Sequence, residues 1–171
     1  MPEHLWPLLR LQADTEEELI AAYRQVYLES YVCRPDGTPV ALCDWNGTAV
    51  RFSGHPKVFE HAFSESSNYR RKKDHDVPFS KKRARCLLWI KEVLRGDGCT
   101  LELRIQTRPD SRGRPKKRRS LIVVEEKYVV VLEENQKVGC LEFVTAFPAD
   151  DIYLKKLRKE SQLVEIKKPQ S

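Results

Sequence analysis

Nowhere in the chain do apolar residues run on for the roughly 18 positions that a membrane-spanning helix needs, so no such helix is expected. Its opening stretch, Met1 to Arg10, also lacks a basic region followed by a long apolar run, the pattern of an export signal. The five cysteines, Cys33, Cys43, Cys86, Cys99 and Cys140, include no C-x-x-C pair, and an odd number cannot all pair with one another. Reduced thiols are therefore expected, most of them small core hydrophobes, in a soluble protein of the cytoplasm. Such scattered thiols predict no zinc site, no cofactor is implied, and no internal repeat is present. A length of 171 residues suits one ordinary domain with a small extension.

Positive charge, by contrast, is abundant and gathered. Residues 70–85 hold eight basic and two acidic side chains, and residues 104–119 hold eight basic and one acidic. Together these segments carry a net +13 of an overall +6, which leaves the remainder at net −7. Charge separated in this way attracts phosphate chains by counterion release and keeps the rest of the surface away from the same ligand. A polyanion, most simply RNA, is the expected partner, and a membrane is not.

Hydrophobic periodicity predicts an α+β fold. Asp14-Thr15-Glu16-Glu17-Glu18 places capping oxygens and acids ahead of Leu19, Ile20, Tyr23, Val26 and Tyr27, which mark one face of a helix over 15–30. Runs at 40–43 and 50–52 flank Trp45-Asn46-Gly47 as a hairpin. A short helix starts at Pro56, residues 64–79 read as a loop, and Ser80 caps a helix to about Arg95 that Gly96-Asp97-Gly98 stops. Strand-like runs at 100–106, 121–124, 128–132 and 138–147 would pair as a four-stranded antiparallel meander. The helix would cover one face and leave the other for ligand, with the insert 107–119 as a flexible basic arm. This divides the chain into a helix and hairpin extension (1–52), a helix packed on the four-stranded sheet (53–148) and a charged tail (149–171), with a last helix and a frayed end over 155–168.

The strings Phe79-Ser80-Lys81-Lys82-Arg83-Ala84-Arg85-Cys86-Leu87-Leu88-Trp89-Ile90 and Phe143-Val144-Thr145-Ala146-Phe147, set around such a meander, carry a likeness. A helix of the type RAxxLxWI with a closing FVTAF strand resembles the phage-associated branch (PBECR-type) of the barnase, EndoU, colicin and RelE-like ribonuclease superfamily, over roughly 53–148. That resemblance implies a metal-independent endoribonuclease, a toxin or an agent of conflict between phages and bacteria, with an antitoxin or another protein as a further partner. Its chemistry needs a base for the RNA 2′-hydroxyl, cations for the phosphorane and an acid for the leaving oxygen.

His55 is then the leading acid or base and His61 its partner, although the six-residue spacing lets only one reach the site. Arg83 is the phosphate clamp, Thr145 supplies a hydroxyl, and His75 is a tethered alternative in the loop. The expected RNA contacts are Arg70, Arg71, Lys72, Lys73, Lys81, Lys82 and Arg85, together with Arg112, Arg114, Lys116, Lys117, Arg118 and Arg119 of the arm. Tyr69, Phe79, Trp89 and Tyr128 are candidates for stacking on bases, with core packing the favoured reading of Trp89. Two other functions fit the same charge pattern: a non-catalytic RNA-binding module of a ribonucleoprotein, and a protein-interaction or inhibitor protein.

Overall fold

The structure, a computed structural model, describes residues 3–65 and 78–169. Tyr69, Arg70, Arg71, Lys72, Lys73 and His75 lie outside the described residues. Among those described, no helix is long and apolar enough to cross a membrane.

The first helix, α1 (Glu16–Tyr27), begins as its sequence predicts: the Thr15 hydroxyl accepts from the Glu18 N–H at 3.1 Å, and three glutamates occupy the positive end of the dipole. It runs on as a π-helical turn, Leu28–Val32, so that Tyr23, Tyr27 and Tyr31 all enter the core. Each buried phenol keeps a polar handle that needs a partner. Tyr23 donates to Leu9 O at 2.7 Å, Tyr27 to Ser53 O at 2.9 Å and Tyr31 to Leu87 O at 2.6 Å. The Tyr27 ring meets Phe52, Phe59, Phe63 and Phe143, and Phe52 stacks on both Tyr31 and Phe143. This packing crosses the expected boundary at residues 52 and 53.

Tyr31 also accounts for a correction. The single helix predicted over 80–95 is two, α3 (Lys81–Arg85) and α4 (Trp89–Arg95), although Ser80 caps the first and Gly96, at φ 74°, ends the second as expected. The Tyr31 hydroxyl stands between Leu87 O and Lys91 N, which donates to it at 3.2 Å, and Tyr128 donates to Cys86 O at 3.3 Å. Side-chain hydroxyls thus take up carbonyls that a continuous helix would bond internally. Tyr31→Phe should cost about 1–3 kcal/mol, because it leaves a buried carbonyl without its donor. Urea unfolding should show the lower midpoint with an unchanged slope.

The expected meander is present as β3 (Leu101–Pro109), β4 (Pro115–Val123), β5 (Tyr128–Asn135) and β6 (Cys140–Pro148), each antiparallel to the next. Among the described residues, however, the sheet has seven strands, not four, in the order β1-β2-β6-β5-β4-β3-β7. The hairpin β1 (Leu42–Cys43) and β2 (Ala49–Arg51) joins one edge, with β2 parallel to β6. At the other edge lies β7 (Gln162–Lys167), formed from what reads as a charged tail. Its side chains are mostly solvated, so it lacks the alternation that marks a half-buried strand.

A further correction concerns the sheet face expected to stay open for ligand. Helix α5 (Asp151–Glu160), capped by Asp150, lays Leu154 and Leu157 on Ile122, Val129 and Val131. The basic insert is no flexible arm either, since β3 and β4 continue through it as a hairpin as far as the Pro109–Pro115 pair. Its turn is held by the Asp110 carboxylate, which accepts from the Arg112 and Arg114 N–H groups at 2.8 Å each, with Gly113 at φ 76°.

Candidate functional site

Helix α2 (Pro56–Ala62) ends where the first turn of α3 and the closing strand β6 meet it. There the Ala62 carbonyl, at the negative end of the helix, accepts from Arg83 Nη1 at 3.4 Å and from Thr145 Oγ1 at 3.3 Å. The guanidinium carbon of Arg83 lies 4.8 Å from the centroid of the Phe147 ring, a cation–π contact, and Tyr153 of α5 packs edge-on against the same ring at 5.1 Å. Burial lowers the pKa of Arg83, yet a guanidinium keeps its proton at neutral pH.

His61 occupies the last turn of α2, one residue before that carbonyl, and is half-buried. Burial first, then the charges of Arg83 and Arg118, hold its imidazole below the usual 6.5 and so neutral at pH 7. The Tyr153 phenol is pushed up by burial, against the opposing pull of Arg108, Arg83 and Arg118. A neutral imidazole, a threonine hydroxyl and the Arg83 guanidinium thus lie about the end of α2, with Arg118 close enough to act on His61, and Arg108 on Tyr153, through its charge. Such a set can accept a proton while it holds anionic oxygens.

The two strands of the basic hairpin feed this rim. Strand register pairs Arg108 with Lys116 and Gln106 with Arg118, and alternation puts all four on the α5 side of the sheet, with Ile122. By the same alternation Lys117 and Arg119 face the opposite side. The run Lys116-Lys117-Arg118-Arg119 is therefore divided between two faces, not gathered on one. Part of its charge is also neutralised. Lys116 and Arg118 pair with Glu133 at 2.5 and 3.6 Å, and Arg119 pairs with Glu134 at 2.9 Å and with Asp44 at 3.8 Å. Arg112, Arg114 and Lys117 are exposed toward the hairpin tip, and Lys81, Lys82 and Arg85 are exposed on α3.

His55 does not join the cluster. It is the N-cap of α2, with Nδ1 accepting from the Lys57 N–H at 3.2 Å, and the helix rise of about 1.5 Å per residue sets it about 9 Å along the axis from His61. Trp89 packs in the core as expected, and the stacking candidates Tyr128 and Phe79 pack there with it. Trp89 and Tyr128 are buried against each other, and Phe79 packs on Tyr23 and Phe59. The aromatic rings at the rim are instead Phe147 and Tyr153, which, like Arg108, are not among the candidates read from the sequence. The end of the FVTAF string was the available signal for Phe147; Tyr153 depends on α5 docking and had none.

Three of the five thiols, Cys86, Cys99 and Cys140, are buried as expected, and Cys33 and Cys43 are exposed. Burial pushes Cys86 up to about 12 and Cys99 up to about 11, so neither is a nucleophile at neutral pH. Compared with protein-family models, with curated proteins and with solved structures, the chain finds no match.

Proposed function

We propose that this protein binds RNA and cleaves it by attack of a 2′-hydroxyl on the adjacent phosphate, with no metal required. The supporting observation is the meeting of Arg83 and Thr145 at the Ala62 carbonyl, beside an imidazole that burial, and then nearby guanidinium groups, hold neutral. In this reading His61 takes the proton of the 2′-hydroxyl as the oxygen closes on phosphorus. Arg83 and Arg118 stabilise the extra charge of the phosphorane, and the imidazolium returns its proton to the departing 5′-oxygen. The products are a 2′,3′-cyclic phosphate and a free 5′-hydroxyl. Phe147 and Tyr153 offer the nearest aromatic surface for an unpaired base. The exposed cations of the hairpin tip extend the path of the backbone, where each neutralised phosphate adds salt-sensitive affinity. His55 leaves the mechanism and remains a cap.

Incubating the purified protein with labelled single-stranded RNA in EDTA should give fragments ending in 2′,3′-cyclic phosphate. Tight, salt-sensitive binding without cleavage would instead make it a non-catalytic RNA-binding module. No affinity for RNA at about 0.1 M salt, where electrostatic binding persists, would point to a protein partner as the true ligand.

A further inference from the structure

Beside the rim lies a cavity of about 290 Å³ that the mechanism does not use. It adjoins the cluster through chain neighbours, because Lys82, on its wall, precedes Arg83 and Pro148 follows Phe147. The N-terminal segment closes one side of it. Leu9 N donates to Arg85 O at 2.8 Å, the Trp89 indole N–H donates to Pro7 O at 3.0 Å, and Leu5 N donates to Glu126 Oε1 at 2.9 Å. Glu126 Oε2 bonds His4 Nδ1 at 2.8 Å. The interior is apolar, from Leu8, Trp89 and Pro148; the exposed cations Lys82 and Arg85 stand at its margin, and the ammonium of Lys127, also on the lining, is paired with Asp151 at 2.9 Å.

We propose that this cavity is a second nucleotide subsite, selective for cytosine over uracil, which holds the nucleotide's phosphate on Lys82 and Arg85; it rests on the RNA reading above. Each part follows from the chemistry of its lining. A volume at the lower end of ligand pockets suits one single-ring base. Leu8 and Pro148 receive the faces of the ring above the buried Trp89, and the two cations take the anion. Glu126 decides the base. Its side chain is 10% exposed, and an ionised carboxylate offers about four lone-pair positions, of which His4 and Leu5 use two. What remains can only accept. The exocyclic amino group of cytosine donates to such an acceptor, whereas uracil presents a carbonyl oxygen at that position and is repelled. The subsite also gives the N-terminal segment a role, since without residues 4–9 the cavity has no wall on that side.

The test uses the full chain and follows the Trp89 indole N–H and His4 imidazole signals by NMR during titration with CMP, UMP and inorganic phosphate. CMP should shift both signals saturably and bind about tenfold or more tightly than UMP. Glu126→Gln should bring the two nucleotides to equal affinity. Lys82→Ala with Arg85→Ala, both at exposed positions, should weaken both nucleotides and keep their ratio. Equal affinities in the parent chain, the same response to inorganic phosphate as to CMP, or shifts confined to His61 would each overturn the subsite. Absent RNA cleavage with the CMP response intact would sink only the catalytic reading. Cleavage with no CMP response at His4 and Trp89 would sink only the subsite.

Discussion

In the proposed mechanism, His61→Ala should slow RNA cleavage by a factor of about 10²–10⁴, the usual worth of a positioned acid or base, and leave RNA affinity nearly unchanged because the imidazole it removes is neutral. His55→Ala should leave the rate intact and cost at most about 1 kcal/mol of stability through the lost cap. The reverse ranking of the two variants would overturn the site assignment. A second readout separates an acid–base role from a merely structural one. Burial, Arg83 and Arg118 all favour the uncharged imidazole, so kcat/KM should rise with pH through a midpoint below 6.5 and be flat near pH 7. Arg118→Ala removes one of those causes, so its midpoint must move up toward 6.5. A midpoint that stays in place, or moves down, would show that another group carries the acid limb.

The histidine assignment shows where local sequence is informative. A residue directly before a proline that opens a helix is the N-cap, so the place of His55 before Pro56 already described its structural role. The Thr15 and Ser80 caps, the stop at Gly96 and the four central strands were legible for the same reason: each depends on residues a few positions apart. Features that depend on distant partners were not. The break between α3 and α4 arises from the hydroxyls of Tyr31 and Tyr128, which lie 56 and 42 positions from the carbonyls they bond. The parallel partner of β6 comes from a three-residue strand, too short to show a period. At the site, only a resemblance singles out Arg83 and Thr145 in the sequence, and their meeting at Ala62 is a tertiary fact. The block count of cations was legible too, but it could not show that strand alternation divides 116–119 between two faces, or that Glu133, Glu134 and Asp44 pair with three of those four residues.

Glu102→Ala should be the most destabilising change on the α5 side of the sheet. The Glu102 carboxylate accepts from Arg158 Nη2 at 2.7 Å and from Arg104 Nη1 at 2.9 Å, while Arg104 Nε donates to Ser161 Oγ at 2.8 Å and its Nη2 to Arg158 O at 2.9 Å. Strand β3 is thereby joined to the end of α5 and the start of β7. Arg104 is 9% exposed, so removing its counter-charge leaves a guanidinium nearly buried and without its carboxylate, at a cost of about 3–5 kcal/mol. Arg158 is 39% exposed, and solvent screening makes its share of that loss small. Against a total stability of about 5–15 kcal/mol such a loss is large.

The same network sets a pH dependence. Burial alone would raise the carboxyl, but the hydrogen bonds and charges of Arg158 and Arg104 together hold it below the usual 4.5. Its folded value is therefore lower than its unfolded one, and the stabilisation is present above about pH 4.5 and lost as pH falls through the folded value. Urea unfolding of Glu102→Gln should accordingly lose less stability between pH 7 and pH 3 than the parent chain does. An equal slope for the two would show that other carboxylates carry the acid sensitivity. Because α5 also brings Tyr153 to the rim beside Arg83, Arg108 and Arg118, loosening its end should reach the site as well. Amide exchange in α5 and β7 should quicken in Glu102→Gln together with a fall in RNA cleavage, whereas Tyr31→Phe, which acts on the opposite side of the sheet, should lower stability without that local opening.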